Sequence, residues 1–189
     1  MNTPFAAALF AGGRSRRFGS DKALHHVGGI PLWQHQLKRI EPLMPVEILI
    51  SCNPDQSFAH GHRVVTDEQP DSGPLGALVS CLHATKIARL LVLAVDLPEM
   101  PMNFLGELVY ADCGVVPVHG SGMPEPLAAV YPVEILPIAE QQLSAGKLAM
   151  RELVNLGIRD GLLQPRAIAD NELGFFSNLN EAPRAESDA

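Results

Sequence analysis

The sequence predicts an α/β fold: a single domain on an open, doubly wound, mostly parallel sheet with helices over both faces. Three observations carry this. Short apolar runs rich in Val, Ile and Leu alternate with longer segments of helical period, and Gly, Pro and Asp fall between them. The run Leu90-Leu91-Val92-Leu93-Ala94-Val95 lacks polar alternation, as expected of a strand covered on both faces of a parallel sheet. A chain of 189 residues, 47% of them hydrophobic, closes one sizeable core and is short for two.

Taken in order, the first strand is expected at residues 5–10. That apolar run has no basic residues ahead of it and meets glycines and arginines at once, so it reads as a strand rather than a secretory leader. Helical period then fits 32–40, followed by strands at 47–51 and 64–66. A helix at 75–85 leads to the strand at 89–95, and a helix at 103–110 leads to a strand at 114–118. The last strand is expected at 127–131, with helices after it at 133–143 and 148–156. No repeat or linker interrupts the pattern, so the domain is expected to span 1–181. Residues 182–189, where Pro, Ser and acidic residues leave little to bury, read as a frayed tail.

Composition excludes several functions. No apolar run approaches the roughly 20 residues that cross a bilayer. A formal charge of -7 with 19% charged residues argues against general nucleic-acid binding, so a polyanion has to be held by a local concentration of positive charge. Cys52, Cys81 and Cys113 are widely spaced and form no C-x-x-C pair, which fits reduced thiols of a cytoplasmic protein rather than zinc ligands. The histidines His25, His26, His60 and His62 read as solvated side chains rather than metal ligands.

The most informative segment follows the first strand: Ala11-Gly12-Gly13-Arg14-Ser15-Arg16-Arg17-Phe18-Gly19-Ser20-Asp21-Lys22. Glycines let the backbone approach a ligand closely, so that several N–H groups converge on phosphate oxygens. Arg14, Arg16, Arg17 and Lys22 then add four positive charges within nine residues of a negatively charged chain. This is the signature of a triphosphate site, weighed against a solvated basic turn. The segment is neither a Walker A loop, since Lys22 follows Asp21 rather than Gly, nor the dinucleotide fingerprint G-x-G-x-x-G.

Open parallel sheets bind ligands at the carboxyl ends of their strands. Asp96, after the run 90–95, and Asp67, after 64–66, stand where a carboxylate would reach that edge, and magnesium prefers one or two carboxylates plus phosphate oxygens and water. Either aspartate also fits a helix cap or a turn. Gly73-Pro74-Leu75-Gly76 opens the next helix, whose N-terminus either faces a base or phosphate or forms a tight loop.

Together these residues resemble the molybdenum cofactor guanylyltransferase family. Its opening motif L-A-G-G-x-S-x-R-M-G-x-D-K-A-L appears as residues 9–24, with Phe10 interposed and Phe18 in place of Met. The similarity continues through Pro31-Leu32-Trp33-Gln34-His35, Asp67, Gly73-Pro74-Leu75, Asp96-Leu97-Pro98, Glu125-Pro126-Leu127 and Asn178-Leu179-Asn180, nearly the whole chain. The resemblance implies a Rossmann-like nucleotidyltransferase that moves GMP from Mg-GTP to the terminal phosphate of molybdopterin and releases pyrophosphate. It implies nucleotide binding by Leu9, Phe10, Ala11, Gly12, Gly13, Lys22, Asn53, Asp67, Gly73 and Asp96. Arg17, Lys22 and Asp96 would be catalytic, Asp96 the magnesium ligand, and Asn178 and Asn180 would face the acceptor. Other cofactor-biosynthesis proteins and molybdoenzyme chaperones are further implied partners.

Two departures bear on specificity. The family ending N-x-N-T-P-E-D-L is reduced to Asn178-Leu179-Asn180-Glu181-Ala182-Pro183, and Gly76-Ala77 reverses the usual A-G order. A cytidylyltransferase acting on molybdopterin or on a sugar or polyol phosphate is therefore the alternative, and a nucleotide-binding regulator without turnover is the second.

Overall fold

The computed structural model describes residues 3–12, 22–54, 56, 58–59, 61–67, 69 and 71–179. In chain order the elements are β1 (Ala6–Phe10), β2 (His26–Val27), β3 (Ile30–Pro31), α1 (Leu32–Ile40), β4 (Ile48–Ser51), β5 (Arg63–Val65) and α2 (Gly73–Ala84). There follow β6 (Arg89–Ala94), α3 (Met102–Tyr110), β7 (Gly114–Val118), β8 (Ala128–Pro132), α4 (Leu136–Ser144), α5 (Met150–Arg159) and β9 (Leu163–Ala167). Four short 3-10 helices occur among the described residues, the longest, Asp170–Phe176, following β9.

Seven strands form one sheet in the order β5-β4-β1-β6-β8-β7-β9, and β2 and β3 make a separate hairpin. The pairs β5/β4, β4/β1, β1/β6 and β7/β9 are parallel, while β8 runs against both β6 and β7. The sheet is therefore mixed, with a single reversed strand. No helix among the described residues is long and apolar enough to cross a membrane.

Alternation along β1 shows why the sheet must be covered twice. Ala7 and Leu9 pack with Leu32, Trp33 and Leu37 of α1 and Phe104, Leu105 and Leu108 of α3. Ala6, Ala8 and Phe10 point the other way, onto α2, α4 and α5 through Leu75, Leu78, Leu82, Ala139, Leu153 and Val154. Small residues in β1 let helices on both faces approach closely. α5 buries Met150, Leu153, Val154 and Gly157, the single stripe of an amphipathic helix, whereas α2 is buried from Leu75 through Leu82 and shows no such stripe.

One charge is buried in the frame. Arg89, at the start of β6 and 4% exposed, donates from Nη1 to the carbonyl oxygens of Val109 and Ala111 and from Nη2 to Thr3 O at 2.5 Å. A guanidinium thus satisfies free carbonyls at the C-terminus of α3, where the helix dipole favours a cation.

The strands expected at 5–10, 47–51, 89–95 and 114–118 coincide with β1, β4, β6 and β7 to within a residue, and α1 has the expected bounds. The expected helix 133–143 is corrected: residues Val133–Ile135 form a 3-10 turn and α4 starts at Leu136, with Pro137 in its first turn. β9 and the β2/β3 hairpin were not expected. β9 reads Leu-Gln-Pro-Arg-Ala, with Pro165 inside it and most of its residues exposed, and such a sequence survives as a strand because β9 is an edge that pairs only with β7. Residues 182–189 lie outside the described set.

Candidate functional site

From β1 the chain crosses to β4 on one side, while β6 lies on the other, so the strand order reverses at the carboxyl ends of β1 and β6. A crevice forms at such a point because the connections leave in opposite directions. A cleft of about 780 Å³ is found there, floored by Phe10, Ala11, Ser51, Ala94 and Val95 at the strand ends.

The strand ends are stitched together. The N–H groups of Ala11 and Gly12 both donate to Ser51 O, at 2.8 and 2.9 Å, and Val95 N–H donates to Phe10 O at 3.0 Å. Gly12 passes close enough to the next strand that a Cβ would stand 3.3 Å from Cys52 Cα, which explains a glycine there without invoking a ligand. Gln56 adds a cross-tie: its Oε1 accepts from Asn53 N–H at 2.7 Å and its Nε2 reaches Ala11 O at 3.5 Å.

Lys22 and Asp96 meet across the cleft. Lys22 Nζ lies 3.3 Å from Asp96 Oδ2, with side-chain exposures of 20% and 29%. A long, partly hydrated pair of this kind stabilises little and rearranges readily when a ligand arrives. Asn53, Asp67 and Gly73 line the same cleft. Burial raises the pKa of the Asp67 carboxyl above its ordinary value of 3.8. Gly73, at φ +60°, opens α2 so that the helix N-terminus faces the cleft through Gly73, Pro74 and Ala77. Ser72 does not cap it with its side chain and instead donates to Gln69 O at 2.6 Å.

The structure therefore gathers Phe10, Ala11, Gly12, Lys22, Asn53, Asp67, Gly73 and Asp96 around one cavity. Leu9 is fully buried, packs toward α1 and α3, and is not among the residues that line the cleft. Gly13, Arg14, Arg16, Arg17 and Asn180 lie outside the described residues. Asn178 is exposed, and its neighbour Leu179 donates its N–H to Asp96 O at 3.0 Å, so the end of the described chain lands on the Asp96 turn.

Sequence reasoning missed Asp71, Gln36, Arg39 and Gln56. Asp71 lines the cleft at φ 62°, a left-handed conformation that Asp tolerates better than most residues, and the adjacent Ser-Gly pair was its only sequence signal. Gln36 was hidden because it occupies a core position of α1.

The donor set suits a hard divalent cation held in part by phosphate. Asp96 offers carboxylate oxygen beside open cavity, and no group of three or more His, Cys, Asp or Glu among the described residues could form an all-protein cage. Cys52, Cys81 and Cys113 form no disulfide. Chemically, the cleft brings together the carboxylates of Asp67, Asp71 and Asp96, the ammonium of Lys22 and the N-terminus of α2.

Comparison with known proteins agrees with this geometry. Residues 7–160 match the model of the MobA-like NTP transferase domain. A probable molybdenum cofactor guanylyltransferase from Opitutus terrae is 33% identical over 183 residues, covering 93% of this chain and 90% of that protein. A molybdenum cofactor guanylyltransferase from Pseudomonas putida is 31% identical, covering 93% and 94%. The crystal structure of molybdopterin-guanine dinucleotide biosynthesis protein A from Archaeoglobus fulgidus superposes with a TM-score of 0.71 at 21% identity, covering 93% of this chain and 92% of that one, and shares the fold.

Proposed function

The chain belongs to the MobA-like NTP transferase domain family, and from that premise we propose that it transfers GMP from Mg-GTP to the terminal phosphate of molybdopterin and releases pyrophosphate. The observation that carries this reading is the facing of Lys22 and Asp96, 3.3 Å apart, over a cleft at the switch point of the sheet. The guanylyltransferase names of the relatives favour GTP over CTP.

The reaction needs little from the protein beyond placement and charge. An oxygen of the acceptor phosphate, already ionised near neutral pH, attacks the α-phosphorus of GTP, and the bond to the bridging oxygen of pyrophosphate breaks. No proton has to be removed from the nucleophile, so no general base is required. Lys22 leaves its contact with Asp96 and offsets charge on the departing pyrophosphate. Arg17 follows the charge that gathers on the oxygens of the transferring group. Asp96 would hold the magnesium ion, which would supply positive charge to the phosphate oxygens. Asn53, Asp67 and the N-terminus of α2 take the guanosine end, and Asn178 and Asn180 the pterin.

Pyrophosphate release in the presence of molybdopterin, measured side by side with GTP, CTP, ATP and UTP, tests the proposal. GTP is expected to lead the others by a wide margin. Preference for CTP would replace the guanylyl assignment, and nucleotide binding without release would replace the enzyme by a regulator.

A further inference from the structure

Gln36 lies on the buried stripe of α1 with Leu32, Trp33, Leu37 and Ile40, and it is fully buried. Packing alone would favour an apolar side chain, because a primary amide taken from water costs free energy unless it is bonded. Its Nε2 is directed at the end of β6, 2.6 Å from Leu97 O, 3.4 Å from Val95 O and 3.5 Å from Ala94 O. One turn further along α1, Arg39 donates from Nη2 to Pro98 O at 2.6 Å, while its Nη1 rests on His35, 2.6 Å from Nδ1. His35 is placed to accept, since burial and then the charge of Arg39 lower its pKa and favour the neutral ring.

The carbonyl between these belongs to Asp96 itself and receives Leu179 N–H at 3.0 Å. The turn is thus held along its backbone: the two N–H groups of Gln36 Nε2 serve Leu97 O and, at longer range, Val95 O or Ala94 O, Arg39 serves Pro98 O, and the chain's C-terminal segment serves Asp96 O. We infer that Gln36 and Arg39 are positioning residues that fix the turn bearing Asp96, so that its carboxylate presents the cleft with a preset cation site. This rests on the guanylyltransferase reading for its ligand. Neither side chain lines the cleft, so both act through the backbone of the turn.

The test compares the intact chain with Gln36→Met and Arg39→Met, Asp96→Asn as the floor, and Gln142→Met as a control for a buried amide that makes no side-chain hydrogen bond. Mn2+ affinity in the presence of GTP is read by paramagnetic resonance without turnover, and kcat and the KM for GTP are read separately. Losing an outer partner of a metal ligand typically costs about 10- to 100-fold in affinity or activity. Gln36→Met and Arg39→Met are each expected to weaken Mn2+ binding and lower kcat by about tenfold, with the KM for GTP changed less than about threefold and Gln142→Met unaffected. Mn2+ affinity within about twofold of the intact chain in both variants would overturn the inference. Should Gln36→Met fail to fold, Arg39→Met carries the comparison, because Arg39 lies outside the core. Should the intact chain release no pyrophosphate from GTP, the guanylyltransferase reading fails, while the Mn2+ series still reads the clamp.

Discussion

Lys22 Nζ and Asp96 Oδ2 stand 3.3 Å apart, one twelve residues past the end of β1 and the other two residues past the end of β6. The pair joins two stretches 74 residues apart in sequence, and in the proposed reaction each partner exchanges the other for a ligand.

Removing either group should therefore damage turnover far more than folding. Lys22→Ala and Asp96→Ala are each expected to lower pyrophosphate release by about a hundredfold or more, with circular dichroism and melting temperature close to those of the intact chain. Near-normal release by Asp96→Ala would remove the cation assignment.

Asp67 should trade stability for function. Burial raises its pKa, so the folded state binds its proton more tightly than the unfolded chain, and its contribution to stability is lost as pH rises above 3.8 through the raised value. At neutral pH Asp67→Asn is expected to melt higher than the intact chain and to bind GTP more weakly. Calorimetry with both heat and GTP as the variable checks the two signs together.

Gly12→Ala would set a Cβ 3.3 Å from Cys52 Cα, against backbone that is itself bonded across the sheet. The turn must then move away from β4. GTP affinity is expected to fall about tenfold or more, read by titration, with a modest drop in melting temperature.

Arg166 fastens the segment that leads to Asn178. Its guanidinium bonds both oxygens of Glu172, reaches Glu107 Oε2 at 2.6 Å and lies 4.3 Å from the ring centre of Phe104, which in turn meets Phe175 and Phe176 edge-on. Arg166→Ala is expected to cost about 1–3 kcal/mol in urea unfolding. It should also lower kcat, since the contact of Leu179 with Asp96 depends on that segment.

Burial, followed by the nearby charge of Asp67, pushes the Cys81 thiol up to about 12. At pH 8 it stays protonated and covered, whereas Cys113 is partly exposed. Mass spectrometry after brief alkylation should find label on Cys113 and none on Cys81 until the chain is denatured.

How far the sequence could be read follows from where side chains carry periodic information. The apolar runs of β1 and β6 and the amphipathic stripe of α1 are local patterns, and each was legible. Asp67 and Asp96 drew notice because strand ends announce themselves by a change from apolar to acidic residues, and Lys22 because it closes the basic cluster that follows β1. β9 was not, since an edge strand with Pro165 is defined by its partner β7 rather than by its own pattern. Gln36 was silent for the opposite reason: at a stripe position an amide looks like an imperfect core residue until its donor is seen 2.6 Å from Leu97 O. The register that brings Leu179 onto Asp96 is likewise a long-range pairing with no local trace.

The reversal of β8 has an architectural consequence. A strand running with its neighbours delivers to the cleft the connection that leaves it, but β8 delivers the one that enters it, and Leu127 joins the rim from that side. Residues 119–127 can therefore be lengthened or rebuilt to recontour one wall without touching the turns after β1, β4 and β6. The scaffold is modular at its rim: one half can be retailored while Lys22 and Asp96 keep their places on the other.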